Sequence, residues 1–437
     1  MKSNIVIHIN EYGPIRDAEI KFYPLLLFTG NSNLGKSYVN YLFYFLMQAL
    51  SWSMFQDLVE KKYNKLNFSK ENNSFSFSEN DFRKWLVENA QPFLANFLGD
   101  KELKCDVSFS LGLDELLENG KIAVLYHREQ KQENDDMPFD NLVSTINING
   151  EVSSKLMFAS DKKIEIQRLT NTIAIYVQKK LFGHTVLKSV ILPPGRGSYV
   201  GETYSAKEMI ASQAGMYRLF LNDYDLALHG VGDNKTPDEQ FFVERVKTLV
   251  DGDLITEDSK QFLLLKNGRK LPLTAAASSI KELSPFLFYL KNWSRYSFSY
   301  CMEEPEAHLH PTMQMSIADL LAACINKEMF LQLTTHSDYF LQRINQLILL
   351  GKFREQDKDA YEKFRTEHKL NSRFYLDSND VACYFFHEKA GNVVIDKLEY
   401  EENGLPLATF FGAVRELTSF EDELAVAMDP EEYKNDN

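Results

Sequence analysis

Three short stretches of this chain carry side chains suited to chemistry on a phosphate. The first is Gly30-Asn31-Ser32-Asn33-Leu34-Gly35-Lys36-Ser37, spaced G-x-x-x-x-G-K-[ST]. Glycines at that spacing let the main chain curl so that successive N–H groups face one anion. Lys36 then reaches the outer phosphate oxygens, and the Ser37 hydroxyl can ligate Mg²⁺. The second is Glu303-Glu304, continuing into Pro305-Glu306-Ala307-His308-Leu309-His310-Pro311. Neighbouring side chains on a strand point to opposite faces, so one carboxylate can orient a metal-bound water while the other polarises an attacking water. The third is His336, followed by Ser337, where an imidazole just past a strand end can hydrogen-bond a terminal phosphate. The pattern implies a bound nucleotide.

These groups act only if neighbouring elements hold them. Leu25-Leu26-Leu27-Phe28 reads as a buried strand into the first stretch, and Tyr38 to Leu50 as a buried helix out of it. Phe298 to Met302 is a strand leading into Glu303, and Glu328 to Thr335 another ending at His336. Ile5 to Ile9 and Ala18 to Phe22 are β-like runs about the turn cluster Asn10 to Pro14. Asn67 to Asp81, polar and rich in Asn and Ser, reads as a loop. Asn119-Gly120, Asn149-Gly150 and Asn267-Gly268 are turn signals, the last joining two strands as a hairpin. Asp161 to Leu181 has helical spacing, Ser189 to Leu192 is a short strand before Pro193-Pro194-Gly195-Arg196-Gly197, and Gly201 to Val250 is mainly helical with a break near 230–237. Val381–Phe386 and Val393–Leu398 flank a Gly391-Asn392 turn and read as a small β extension, with a helix and an acidic, disordered tail (DPEEYKNDN) after it.

Bulk properties narrow the classes. The 437 residues exceed one simple domain, so a core with an insertion or second lobe is expected. A net charge of −14 argues against a globally basic nucleic-acid binder, though not against a local basic groove. Cys105, Cys301, Cys324 and Cys383 lack C-x-x-C spacing, which indicates neither a disulfide framework nor a zinc site. His308 and His310, without further ligands, read as structural rather than metal-binding. With no signal peptide and no apolar run near the ~20 residues a bilayer requires, a soluble cytoplasmic protein is expected. No heptad pattern runs through 51–190, and no internal repeat is seen.

The opening run IVIHINEYGPIRDAEIKFYPLLLFTGNSNLGKS resembles the N-terminal strands and Walker A loop of ABC-type ATPases related to Rad50, SMC and OLD-family proteins. The likeness is strongest to the AAA15/AAA21-type ATPases of bacterial anti-phage systems. YCMEEPEAHLHP resembles their Walker B strand and D-loop, and TTHSDYFL their switch histidine. The resemblance implies ATP and Mg²⁺ as cofactors, Glu303 assisting the metal, Glu304 as general base and His336 sensing the γ-phosphate. AAASSIKELSPFLFYL, from Ala275, stands where the signature motif belongs, which makes Ser279 the candidate to touch a γ-phosphate across a dimer interface. Two positions depart from the pattern: Ile280 replaces the glycine that follows the signature serine, and Glu303 stands where Asp is usual. Arg196 resembles a recurrent Pro/Arg element of the group.

The expected fold is α/β: an ABC-type P-loop ATPase head with an N-terminal β lobe, an inserted region, a helical signature lobe and a small C-terminal β extension. The boundaries expected are 1–50, 51–190, 191–345 and 346–437. The resemblance implies a slow ATPase that acts as sensor or scaffold of an anti-phage system such as PARIS or Septu. It would form a head-to-tail homo-oligomer and control a separate effector, a nuclease, with a phage protein or DNA as trigger and no membrane partner. The tail after His336 lacks the glycine-flanked glutamate and D-x-D of a Toprim nuclease, which assigns nuclease chemistry to that partner. The alternative is a Rad50/SMC-like ATPase of DNA repair or chromosome maintenance. An ABC transporter subunit is disfavoured by the insertion and by the E-E-P-E-A-H-L-H-P form.

Overall fold

The computed structural model describes residues 4–51, 54–66, 72–131, 141–158, 162–201, 215–230, 235–400, 404–406 and 408–428. In chain order the elements are β1 (Val6–Tyr12), β2 (Ile15–Lys21), β3 (Leu25–Gly30), α1 (Lys36–Leu50), α2 (Gln56–Tyr63), β4 (Asn72–Ser78), α3 (Glu79–Leu98), β5 (Cys105–Ser110) and the single turn α4 (Leu113–Leu116). β6 (Lys121–Lys131), β7 (Asn141–Ile148), β8 (Val152–Phe158), α5 (Lys162–Phe182), β9 (Val186–Leu192), α6 (Gly215–Leu228) and α7 (Pro237–Val250) follow. Then come β10 (Gly252–Glu257), β11 (Lys260–Leu265), β12 (Lys270–Pro272), α8 (Ser278–Trp293), β13 (Ser297–Glu303), α9 (Pro311–Ile325) and β14 (Phe330–Thr334). α10 (Asp338–Gln356), α11 (Lys358–Glu367), β15 (Val381–Lys389), β16 (Asn392–Leu398) and α12 (Ala408–Met428) complete the chain.

One mixed sheet organises the molecule, in the order β5-β1-β2-β16-β15-β3-β14-β13-β9. From β15 to β9 the strands are parallel, and β5, β1 and β2 are antiparallel. β16 joins the halves, antiparallel to β15 and parallel to β2. A parallel sheet covered on both faces demands continuous apolar strands. LLLFTG of β3 and FLQLT of β14 are accordingly buried at every residue. α1 is apolar on nearly all sides because it is packed on nearly all sides, against β9, β13 and β14 and against α3. Phe43 stacks on Phe28 of β3 at 6.0 Å between centroids, and Tyr41 meets Phe97 of α3 edge-on at 5.2 Å. The fold is thus α/β, with β10-β11-β12 and β4-β6-β7-β8 as smaller sheets.

Several expectations are corrected by this arrangement. β15 pairs with β3 from Val381↔Leu25 to Phe386↔Gly30, so the small C-terminal β extension adds its strands to the main sheet, beside the phosphate loop. Its all-apolar run Val381–Phe386 belongs where both faces are covered. The boundary at 190 cuts β9, which pairs with β13, and β5 from within the 51–190 region extends the main sheet through β1. The loop read at Asn67–Asp81 is instead β4 and the start of α3, with 67–71 outside the described residues. Phe75 and Phe77 alternate with serines at a period of two, which places both rings on one face, and Ser78 with Asp81 forms a capping box that starts α3.

The Asn267-Gly268 hairpin joins β11 to β12, the Asn149-Gly150 turn joins β7 to β8, and α5 covers the helix read at 161–181. The helical stretch 201–250 resolves into α6 and α7, with 202–214 and 231–234 outside the described residues, as is the acidic tail. All four cysteines are free thiols. Among the described residues no helix is long and apolar enough to cross a membrane.

Candidate nucleotide site

β3, β14 and β13 are adjacent and parallel, and all three end at one edge of the sheet. Thr334 lies opposite Glu303 on one side and Phe28 on the other, so the strand ends are level. Ligands of open α/β sheets collect at this carboxyl edge. A cleft of about 580 Å³ opens there. Its walls come from the phosphate loop (Ser32, Asn33, Gly35, Lys36, Ser37), from Glu303, Glu304, Thr334 and His336, and from Pro14 and Tyr38.

The loop's two glycines are obligatory for different reasons. Gly30 has φ +121°, and a Cβ there would lie 2.0 Å from the Phe386 carbonyl oxygen of β15. Gly35, at φ +90°, caps the N-terminus of α1 and lies against Pro14 and Ile15 of the β1–β2 turn. The resulting loop directs the start of a fifteen-residue helix at the cleft, which favours an anion. Lys36 is only 5 % exposed and folds back to donate to the carbonyls of Gly30 (3.1 Å) and Asn31 (2.6 Å). Burial holds its ammonium below the usual lysine range, partly offset by the charges of Glu303 and Glu304. Asn31 and Leu34 shape the loop without lining the cleft.

Glu303 is 3 % exposed and accepts three hydrogen bonds, from Ser37 Oγ (2.6 Å) and Thr334 Oγ1 (2.8 Å) on Oε2 and from Asn40 Nδ2 (2.8 Å) on Oε1. Burial raises its carboxyl above the usual range, these bonds pull it back, and the charge of Glu304 raises it further. Asn40, one turn past Ser37, also has its main-chain carbonyl facing the Cys301 thiol. A hydroxyl and a carboxylate side by side beneath a phosphate loop are hard oxygen donors of the kind Mg²⁺ takes, with water and phosphate oxygens supplying the rest. The residues present therefore fit such an ion, which Ser37 and Glu303 would hold.

Glu304 has the left-handed backbone φ of +43°, rare for a residue with a side chain. Its N–H donates to Thr334 O (3.1 Å), and its side chain lines the cleft. His336 lines the same cleft. Its imidazole is held below the usual histidine range by burial and by the Lys36 charge, against the pull of Glu304. The main chain of His336 is fixed by Glu306, whose Oε1 accepts from His336 N (2.8 Å) and Thr335 Oγ1 (2.7 Å).

The structure brings Lys36, Ser37, Glu303, Glu304 and His336 into one cleft. Ser279 is not among its lining residues; it lies in the first turn of α8. Ile280 packs against the hydrophobic core, an anchoring role that glycine could not fill. His310 caps α9, its Nδ1 accepting from Thr312 N, and His308 is exposed.

Sequence reasoning missed Asn40, Thr334 and Glu306 and gave Arg196 no role. Asn40 carried a signal, as an amide one turn into the apolar run after Ser37.

Residues 206–341 match the AAA_15 family model, described as an AAA ATPase domain. That span contains Glu303, Glu304 and His336 and begins after the phosphate loop. No curated protein matches the chain. Solved structures similar to it include the SMC head domain from Thermotoga maritima, at 10% identity over 91% of this chain and 100% of that one, with a TM-score of 0.33. A SmcHead bound to the C-winged helix domain of ScpA is 13% identical over 92% and 98%, with a TM-score of 0.39. An Smc head domain with an extended coiled coil, bound to the C-terminal domain of ScpA derived from Pyrococcus furiosus, is 10% identical over 95% and 99%, with a TM-score of 0.37.

Proposed function

We propose that this chain binds ATP with Mg²⁺ and hydrolyses it. The observation that carries the reading is the hydrogen bond between Ser37 of the phosphate loop and Glu303 of β13, with Lys36 and Glu304 on the same cleft. In this reading Lys36 and the α1 N-terminus neutralise the phosphates, and Ser37 with Glu303 holds the ion. Glu304 takes the proton of the attacking water, and neutral His336 donates to the γ-phosphate. Catalysis is then positioning and charge stabilisation, as is usual for phosphoryl transfer. The test is titration of a fluorescent ATP analogue into wild type and Lys36→Ala with Mg²⁺, together with phosphate release. Equal affinity for both proteins would overturn the reading.

The biological reading is an ATPase sensor or scaffold of an anti-phage system that restrains a separate effector nuclease. It is supported by the E-E-P-E-A-H-L-H-P strand end. A homo-oligomer is part of the proposal, since Ser279 is outside its own cleft and fits a role on a second copy's nucleotide. Expression with the flanking genes, followed by phage challenge, tests it. Protection that disappears in Lys36→Ala is expected, and absence of protection in the wild type overturns the defence reading while leaving the ATPase reading standing.

A further inference from the structure

Arg196 is the largest fully buried side chain, 1 % exposed, in the short turn after β9. A guanidinium removed from water is costly unless its donors are used. Here they go almost entirely to main-chain carbonyls: Nε to Glu282 O (2.8 Å), and Nη1 to Pro193 O (3.1 Å) and Glu303 O (2.7 Å), with Nη2 3.5 Å from Glu304 O. The Glu282 carboxylate stands 3.6 Å from Nε. The neighbouring Gly197 lets the turn lie close, since a Cβ there would meet Glu282 N at 3.0 Å.

One of these bonds meets a main-chain bond on the same peptide. The unit between Glu303 and Glu304 has its C=O held by Arg196 and its N–H held by Thr334 O (3.1 Å). With both polar groups fixed, the plane cannot turn, and Glu304 is kept in the left-handed conformation that aims its carboxylate into the cleft. A glutamate leaves that conformation readily unless its surroundings over-determine it. The same guanidinium binds α8 through Glu282, one turn along from Ser279.

We propose that Arg196 is a positioning residue for hydrolysis. It orients Glu304 by clamping the Glu303–Glu304 peptide and ties that peptide to the helix bearing Ser279. The inference rests on the reading of Glu304 as general base. A loss of turnover that depends on the Glu304 carboxylate separates this role from a general structural one.

The experiment compares Arg196→Gln, Arg196→Lys, Glu304→Gln and the Arg196→Gln/Glu304→Gln double variant in the full chain. Nucleotide affinity, KM and kcat are measured at saturating Mg²⁺, with thermal unfolding alongside. Expected for Arg196→Gln are an affinity and KM within threefold of wild type and a kcat about 100-fold lower. Arg196→Lys, which keeps a cationic donor but not the guanidinium fork, recovers to about tenfold below wild type. The double variant is no slower than Glu304→Gln alone. A wild-type kcat in Arg196→Gln, a matching loss in nucleotide affinity, or a double variant slowed by a further hundredfold overturns the inference. Where Arg196→Gln does not fold, Arg196→Lys decides: kcat about tenfold down at unchanged KM supports it, and wild-type turnover overturns it. A wild type that hydrolyses no ATP overturns the reading of the site itself, an outcome distinct from all of these.

Discussion

Replacing Lys36 by methionine separates binding from folding more cleanly than any other change in the site. The apolar stem is preserved and only the ammonium goes. In the proposed reading that ammonium would bind two nucleotide phosphate oxygens. Charge-assisted bonds contribute about 1.5–3 kcal/mol each. Their loss is therefore roughly 3–6 kcal/mol, or about 10²–10⁴ in affinity. Among the described residues the same ammonium donates to Gly30 O and Asn31 O while buried. Losing those bonds is offset by no longer desolvating a cation, both terms being a few kcal/mol. Unliganded stability should then change by about 1 kcal/mol at most, a shift of a few °C or less in a chain of this size. The pH dependence supplies an internal check. Burial lowers the folded-state pKa of Lys36, so across the window up to the ordinary lysine value the unfolded chain holds a proton that the native chain has released. Over that window this group makes stability rise with pH, and Lys36→Met lacks the rise. Calorimetric titration with ATP/Mg²⁺ and thermal scans across alkaline pH measure both effects. Affinity within threefold of wild type, or unfolding of the unliganded variant, would refute the reasoning.

Glu304→Gln should keep ATP affinity and lower turnover by roughly 10²–10⁴-fold, the range of a lost general base; wild-type phosphate release in that variant would remove Glu304 from its role. Glu303→Gln should weaken Mg²⁺ dependence more than nucleotide affinity. It should also alter the pH profile of the unliganded protein. Burial raises the Glu303 carboxyl, so its contribution to stability is present below the ordinary carboxylate range and lost as pH rises through the folded value. The glutamine variant should therefore gain on wild type between acidic and neutral pH, and parallel stability curves would contradict this. For assembly, light scattering should show a homo-oligomer with and without ATP/Mg²⁺, and Ser279→Arg should slow hydrolysis while sparing nucleotide affinity. A wild type that is monomeric in both conditions, with a concentration-independent rate, would dismiss the shared site.

What the sequence disclosed was what covalent spacing fixes. Gly30, Gly35, Lys36 and Ser37 lie within eight residues, so the turn and the following helix bring them together without help from the rest of the chain. Glu303 and Glu304 could be assigned to a strand end because Phe298–Met302 is apolar and a proline follows at 305. Their meeting with Ser37 depends on sheet order, with β14 between β3 and β13, and no local pattern records that order. β15 illustrates the limit. Its apolar run was visible, but its insertion beside β3 follows from the close approach at Gly30, where only a residue without Cβ admits the Phe386 carbonyl. The glycine was legible as a phosphate-loop residue, while its second duty, admitting a strand from the far end of the chain, was not.

The missed residues share a property that explains why they were missed. Asn40, Thr334, Glu306 and Arg196 do their work by holding other groups, through bonds that span 29 to 263 residues of sequence. Glu306 is the clearest case. It is buried, Oε1 holds the start of the His336 loop, and Oε2 has no hydrogen-bond partner among the described residues. A buried carboxylate with a free oxygen is costly. That cost is sustained where the constraint it imposes, the main-chain position of His336 at the cleft, is needed more than the stability it gives up. Glu306 thereby fixes the chain just past β14, and Arg196 the end of β13. Ser37, Asn40 and Thr334 all donate to Glu303, so side-chain hydrogen bonds join the phosphate loop to both strand ends.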